Sequence, residues 1–444
     1  MIDKCLEYYK EYTPKSQELY LRIKNLLAGG VSHNVRYFHP YPLFIKKAKD
    51  QYLWDEDENK YVDFWLGHMA LILGHSPKIV VDALKEQLDN GTHLGTVNRY
   101  ALELAELVNR LVPCAEMVRF TNTGSEATMY ATRLARAYTN KKMIVKIEGG
   151  WHGFNTNLLK NVSYPFEEKE SLGLLNEEIK YVVSIPFNSI DESLRILRSF
   201  KDDIACVIVE PLLGNGCIPA DKEYLKALRE ETERLDSLLI FDEVITGFRL
   251  SLGGAQEYYG IKPDLATLGK ILGGGFPIGA IVGKKEIMNL ADPTLKRGKS
   301  FCKIGGGTFS ENPFSMIAGA KTLEYLKENG EVYDKLNGYG NKIRKDIKKV
   351  FEDEGLKAEA TGLTSLFLFH FLKDDQQAIK SAKDFALSNR ELTERFFFSL
   401  MAKYRLYFLP GHTASICSAH TKEDIDYLIS SCVELIKEIK ENKG

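Results

Sequence analysis

The run Leu265-Ala266-Thr267-Leu268-Gly269-Lys270-Ile271-Leu272-Gly273-Gly274-Gly275 decides how this chain folds. It begins as a short apolar stretch without polar alternation, the pattern of a strand covered on both faces. It ends on a lone lysine and three glycines. Five runs of the same kind precede it, at 117–121, 143–147, 181–185, 205–210 and 238–242. Helical patterns such as 125–138 and 222–235 separate them. Alternation of this kind predicts an α/β fold whose central sheet is open and mostly parallel, with helices on both faces. Sites in such sheets lie beyond the carboxyl ends of the strands, and Lys270 stands at one of those ends.

The rest of the chain fits around that centre. Its 444 residues are material for two or three domains. The segments 1–60 and 316–444 differ from the middle and read as two parts of one small domain, leaving 61–315 as the large domain. Within the middle, 154–180 is long, polar and irregular, which suggests a lid or an insertion. Lys+Arg 59 against Asp+Glu 61 gives a net charge of −2, which argues against a nucleic-acid partner. Apolar stretches are no longer than strands and the first residues lack a signal-like core, so neither membrane nor export is expected and the chain reads as cytoplasmic. The seven cysteines are scattered without a C-x-x-C pair, and the nine histidines lack ligand spacing. No disulfide framework and no metal site are indicated.

Three stretches carry chemistry. In Thr121-Asn122-Thr123-Gly124-Ser125-Glu126-Ala127 a strand ends, small residues turn, and a helix starts at Ser125. Free N–H groups and hydroxyls there form a phosphate cradle. This is not a Walker A loop, because Gly298-Lys299-Ser300 has Pro293 where the first glycine belongs. In Ile240-Phe241-Asp242-Glu243-Val244 a strand-end carboxylate needs a cationic partner, which a protonated ring nitrogen supplies. In the opening run, a crowded Lys270 tends toward the neutral, nucleophilic amine. A phosphate cradle, a strand-end acid and a lysine before glycines together match pyridoxal 5'-phosphate.

The chain resembles the class III, fold type I, pyridoxal-phosphate-dependent aminotransferases, and among them the glutamate-1-semialdehyde 2,1-aminomutase group. The resemblance runs from Gly29-Gly30-Val31 to Ala419-His420-Thr421. It is carried by Thr123-Gly124-Ser125-Glu126-Ala127-Thr128-Met129, Glu210-Pro211-Leu212-Leu213-Gly214-Asn215, Phe241-Asp242-Glu243-Val244-Ile245-Thr246-Gly247-Phe248-Arg249, Thr267-Leu268-Gly269-Lys270 and Gly307-Thr308-Phe309-Ser310-Glu311-Asn312-Pro313. It implies that Lys270 forms the internal aldimine and shuttles the proton, and that Asp242 pairs with the pyridinium nitrogen. Gly124 and Ser125 would hold the phosphate, with Thr308 reaching in from the other subunit of a homodimer. Trp151 would stack on one ring face, where the aminomutases usually have tyrosine. Val244 would pack on the other face, and Asn215 would bond the phenolic oxygen.

On the substrate side the resemblance implies that Arg36 binds a carboxylate, a task that suits a bidentate guanidinium. Three positions depart from the aminomutase pattern. His33-Asn34 replaces Ser-Pro, His68 replaces a tryptophan, and the loop Pro410-Gly411-His412-Thr413-Ala414-Ser415 lacks the family's glutamate. The reading is therefore a transaminase that moves an amino group from a carboxylate-bearing substrate to an oxo acceptor by way of pyridoxamine phosphate. The alternative is a glutamate-1-semialdehyde 2,1-aminomutase making 5-aminolevulinate. A nucleotide-dependent enzyme is disfavoured, since G-x-G-x-x-G does not follow an early strand.

Overall fold

The computed structural model describes residues 2–167, 169–295 and 301–441; Gly298-Lys299-Ser300 lies outside them. The chain divides into two compact units, one made of Met1–Pro77, Asp334–Ala378 and Leu387–Gly444, the other of Lys78–Tyr333 and Ile379–Ala386.

The larger unit is built on a seven-stranded sheet. Its strands, in chain order, are β1 (Met117–Thr121), β2 (Met143–Ile147), β3 (Val182–Ile185), β4 (Ile204–Val209), β5 (Leu238–Glu243), β6 (Leu265–Gly269) and β7 (Gly279–Gly283). They lie in the order β1-β7-β6-β5-β4-β2-β3. Only β7 runs antiparallel to its neighbours. The six strands expected from the sequence are present, shifted by a residue or so. The sequence reading does not contain β7, whose core Ala280-Ile281-Val282 is bracketed by glycines and reads as loop. Strands β2, β4, β5, β6 and β7 are buried at every position, as the unalternating apolar runs require.

The helix Gly124–Thr139 packs on this sheet through Ala127, Ala131, Leu134 and Ala135, which join Ile144, Cys206, Ile240, Leu265 and Ile281 in one core. Burying each large aliphatic side chain there contributes about 1.5–3 kcal/mol. The N-cap is Thr123, not Ser125: its hydroxyl accepts from the Glu126 N–H at 3.2 Å. Asn140 closes the helix in the left-handed conformation, φ +55°. The segment 154–180 holds a short 3-10 turn, a β-bridge between Lys160 and Lys169 and the helix Asn176–Ile179.

The smaller unit draws on distant parts of the chain. The strands Ile45–Lys49, Tyr52–Asp55 and Lys60–Asp63 form a sheet closed by Leu406–Tyr407, which pairs parallel with Lys60–Asp63. Ala358–Thr361, Leu366–Phe371 and Ala414–Ser415 form another. This pairing carries the first segment of the unit to Pro77, past the boundary at 60 read from the sequence. The helix Pro313–Glu328 packs on Arg99–Leu111 and Lys78–Leu88, so the larger unit continues past 315 to Tyr333. All seven cysteines are buried and free. No helix among the described residues is long and apolar enough to cross a membrane.

Candidate active site

The residues singled out in the sequence fall into two sets, one in each unit. In the larger unit the carboxyl ends of β5 and β6 present Asp242 and Lys270. Their strands pair in parallel with Asp242 opposite Thr267, three residues before Lys270. Lys270 is half-buried and sits at φ +48°, at the start of a short 3-10 turn that ends in Gly273. Its amine makes no hydrogen bond or ion pair among the described residues. Desolvation lowers its pKa, against the opposing charges of Asp242 and Glu210. A low-pKa amine without a partner is free to attack a carbonyl.

Asp242 is 4% exposed and fully oriented. Its Oδ1 accepts from the Thr267 hydroxyl at 2.9 Å and from the Val244 N–H at 3.2 Å; its Oδ2 meets His152 Nδ1 at 2.7 Å. Burial pushes the His152 imidazole down while Asp242 holds it up. The other ring nitrogen, Nε2, is buried with no partner among the described residues.

The phosphate turn is shaped by close approach. A Cβ on Gly124 would meet Val244 at 3.0 Å, and one on Gly153 (φ +78°) would lie 2.1 Å from Ser125 Oγ. Ser125 Oγ accepts from the Phe154 N–H at 3.1 Å. These glycines bring the turn, Val244 and the Trp151 loop together around the first N–H groups of a helix, which suits a phosphate dianion. Trp151 is 38% exposed and meets Phe154 edge-on at 5.0 Å. The Asn215 amide donates to the Gly149 carbonyl at 2.8 Å, which ties its loop to the one carrying Trp151. Thr308 is exposed on a turn beside Phe309. An unpartnered amine, an oriented strand-end carboxylate, an orphaned ring nitrogen and a glycine-walled helix start fit pyridoxal phosphate.

Three participants were not singled out by the sequence reading: His152, Glu210 and Lys146. Glu210 is 4% exposed, and burial together with Asp242 pushes its carboxyl up to about 8. Glu210 opens the motif quoted for Asn215 and His152 is adjacent to Trp151, so a strand-end position and that adjacency were the available signals. Nothing marked Lys146 beyond a charge inside an apolar run.

In the smaller unit Arg36 is exposed on the 3-10 turn Asn34–Arg36 and makes no ion pair among the described residues. His33 and His68 meet with ring centroids 5.0 Å apart and planes tilted by 46°. Trp65 contacts both His68, at 4.6 Å, and His412, at 6.0 Å. The three departures from the aminomutase pattern are thus linked in the order His33, His68, Trp65, His412. Burial, Arg390 and His33 push His412 down to about 4. No group of three or more His, Cys, Asp or Glu among the described residues could hold a metal ion.

The profile of the class-III aminotransferases matches residues 33–391, and the chain belongs to that family. Among particular relatives, it is 41% identical over 436 residues to the glutamate-1-semialdehyde 2,1-aminomutase of Methanocaldococcus jannaschii, covering 96% of this chain and 98% of that protein. An omega-transaminase from Sphaerobacter thermophilus shares its fold with a TM-score of 0.89 at 31% identity, covering 95% of this chain and 97% of that one. A transaminase solved with PLP bound aligns with a TM-score of 0.87 at 29% identity, covering 97% and 99%. The fold expected from the sequence, fold type I with a mostly parallel central sheet, is the one found.

Proposed function

We propose that this chain is a pyridoxal-phosphate-dependent glutamate-1-semialdehyde 2,1-aminomutase. One observation carries the choice between the two readings: 41% identity along nearly the whole chain to an aminomutase, against 31% to an omega-transaminase. The intramolecular reaction is therefore favoured over transfer to a separate oxo acceptor.

Bound pyridoxal phosphate supplies an aldehyde for amine exchange and a ring that takes up the electrons of a breaking C–H bond. The chain's residues do the rest. Lys270 is the amine that would hold the aldehyde, and its Nζ, kept low in pKa by burial, would take and return the substrate proton. Asp242 keeps a ring nitrogen protonated, and Thr267, Val244 and His152 hold its two oxygens in place. The N–H groups of Gly124 and Ser125 bind the phosphate. Trp151 and Val244 would cover the two ring faces, and Asn215 would bond the phenolic oxygen. Arg36, which has no carboxylate partner among the described residues, takes the substrate carboxylate. His33 and His68 are the further candidates for substrate contact.

The enzyme works as a homodimer in which Thr308 completes the partner's phosphate site. The support is an exposed apolar patch around Thr308. Leu94 (41%), Val97 (83%) and Phe309 (60%) are exposed, His93 packs on Phe309 at 5.0 Å, and the Asn98 amide donates to Glu311 O at 2.8 Å. A cytoplasmic location accords with seven buried cysteines that form no disulfide among the described residues.

The test is a reaction with glutamate-1-semialdehyde as the sole substrate. The expected product is 5-aminolevulinate, formed over many turnovers without an oxo acid. A strict requirement for an added 2-oxo acid would return the enzyme to the aminotransferases.

A further inference from the structure

The peptide bond between Gly150 and Trp151 is held at both ends. Its carbonyl accepts from Lys146 Nζ at 2.8 Å, and its N–H donates to Glu210 Oε1 at 2.7 Å. Lys146 is 0% exposed, in the middle of β2 where every neighbour is buried. An aliphatic residue there would avoid a large desolvation cost. Packing alone therefore gives no reason for a lysine.

Hydrogen bonding does give one. Lys146 Nζ also donates to Leu158 O at 3.1 Å and Lys160 O at 2.8 Å, so three carbonyls face the three donors of an ammonium. Glu210 Oε2 accepts from the Gly214 N–H at 3.1 Å, so both carboxylate oxygens are used as acceptors. Burial pushes Lys146 down and Glu210 up, and the donor and acceptor counts oppose both shifts. Donors at the carbonyl end and acceptors at the N–H end align with the peptide dipole and reinforce each other. Gly149 and Gly153 flank this segment at φ +78°. Without the clamp, 150–152 would be a short span between two permissive hinges.

We propose that Lys146 and Glu210 are a pair of positioning residues that lock the Gly150–Trp151 peptide plane and so set where the Trp151 ring and the His152 imidazole stand toward the cofactor. The proposal rests on the reading of Trp151 and His152 as cofactor neighbours.

Two variants test it. Lys146→Met keeps the side-chain length and removes all three donors. Glu210→Gln keeps the size and turns an amide N–H toward one of its two donors. Three quantities are read: the melting midpoint without cofactor, the dissociation constant for pyridoxal phosphate, and acrylamide quenching of Trp151 in cofactor-free protein. The Trp151 signal is the difference between each protein and its counterpart carrying Trp151→Phe. A folded Lys146→Met is expected to bind cofactor at least about tenfold more weakly and to quench more readily, since small misplacements of aligned groups are costly. Glu210→Gln shifts both readings in the same direction, and it carries the test if Lys146→Met does not melt cooperatively. Wild-type quenching and wild-type affinity in the folded variant would overturn the clamp. Unchanged cofactor affinity in Trp151→Ala, which removes the ring, would instead remove Trp151 as a cofactor neighbour, while quenching of the cofactor-free protein still decides the clamp.

Discussion

Lys270 and Asp242 differ in how much the rest of the chain does for them. Asp242 has each oxygen assigned to a partner, whereas the Lys270 amine is desolvated and left without one. That asymmetry suits a fixed counter-charge and a group that must move. Lys270→Ala should lower turnover by at least about a thousandfold while leaving the cofactor bound without a covalent link, seen as loss of the lysine-dependent visible band. Asp242→Asn should cost about a hundredfold or more in kcat with the band retained; steady-state kinetics and absorbance on the two variants check both. These residues were legible because a lone charge at the end of an apolar strand is conspicuous in sequence. His152 was not, since its partner Asp242 lies 90 residues away and no local pattern announces such a pair. His412 is linked to His33 and His68 through Trp65 for the same reason: three separated segments meet only in the folded unit.

At the scale of elements, strands covered on both faces gave themselves away by composition, and the mostly parallel sense of their sheet followed from strand–helix alternation. Strand β7 escaped because glycines bracket it and because it runs against its neighbours, where no crossover helix is needed to flag it. The helix start was displaced by one or two residues: Thr123 caps it, which releases Ser125 for the loop carrying Phe154. The junction of that loop with the helix is tight enough to test. Gly153→Ala would place a methyl group 2.1 Å from Ser125 Oγ at a φ of +78°. A loss of about 1–3 kcal/mol in stability is expected. The rise in melting temperature on adding pyridoxal phosphate should also shrink, because the phosphate turn must shift. A full-sized cofactor-induced rise would show that the turn tolerates the methyl group.

For the whole molecule, pairing of two copies and tolerance of acid are the measurable properties. The patch of Leu94, Val97 and Phe309 should be covered in a homodimer, so Val97→Lys is expected to shift the mass in solution toward the monomer and to weaken cofactor binding with it. Light scattering after size exclusion checks the first, titration the second. Acid sensitivity follows from two histidines kept neutral in the smaller unit. Burial pushes His412 and His420 from the usual 6.5 down to about 4, and His420 Nδ1 accepts the Cys417 N–H at 3.1 Å, which requires an unprotonated nitrogen. Between 6.5 and about 4 the unfolded chain takes up protons that the folded chain refuses. Their contribution is therefore complete above that window and lost as pH falls through it, on the order of 2 kcal/mol each by about pH 5. Melting midpoints from neutral pH downward should fall, and fall less steeply in His420→Gln.

The parallel pairing of Lys60–Asp63 with Leu406–Tyr407 also bears on how the protein is made. A chain emerging from the ribosome exposes Lys60–Asp63 hundreds of residues before its partner strand exists. The larger unit can assemble in that interval, but this edge of the smaller unit must wait until Leu406–Tyr407 has been made. Closing so long a loop is slow. The early hairpin therefore spends the period of translation with one unpaired edge, the stage at which a chaperone or a neighbouring nascent chain would meet it.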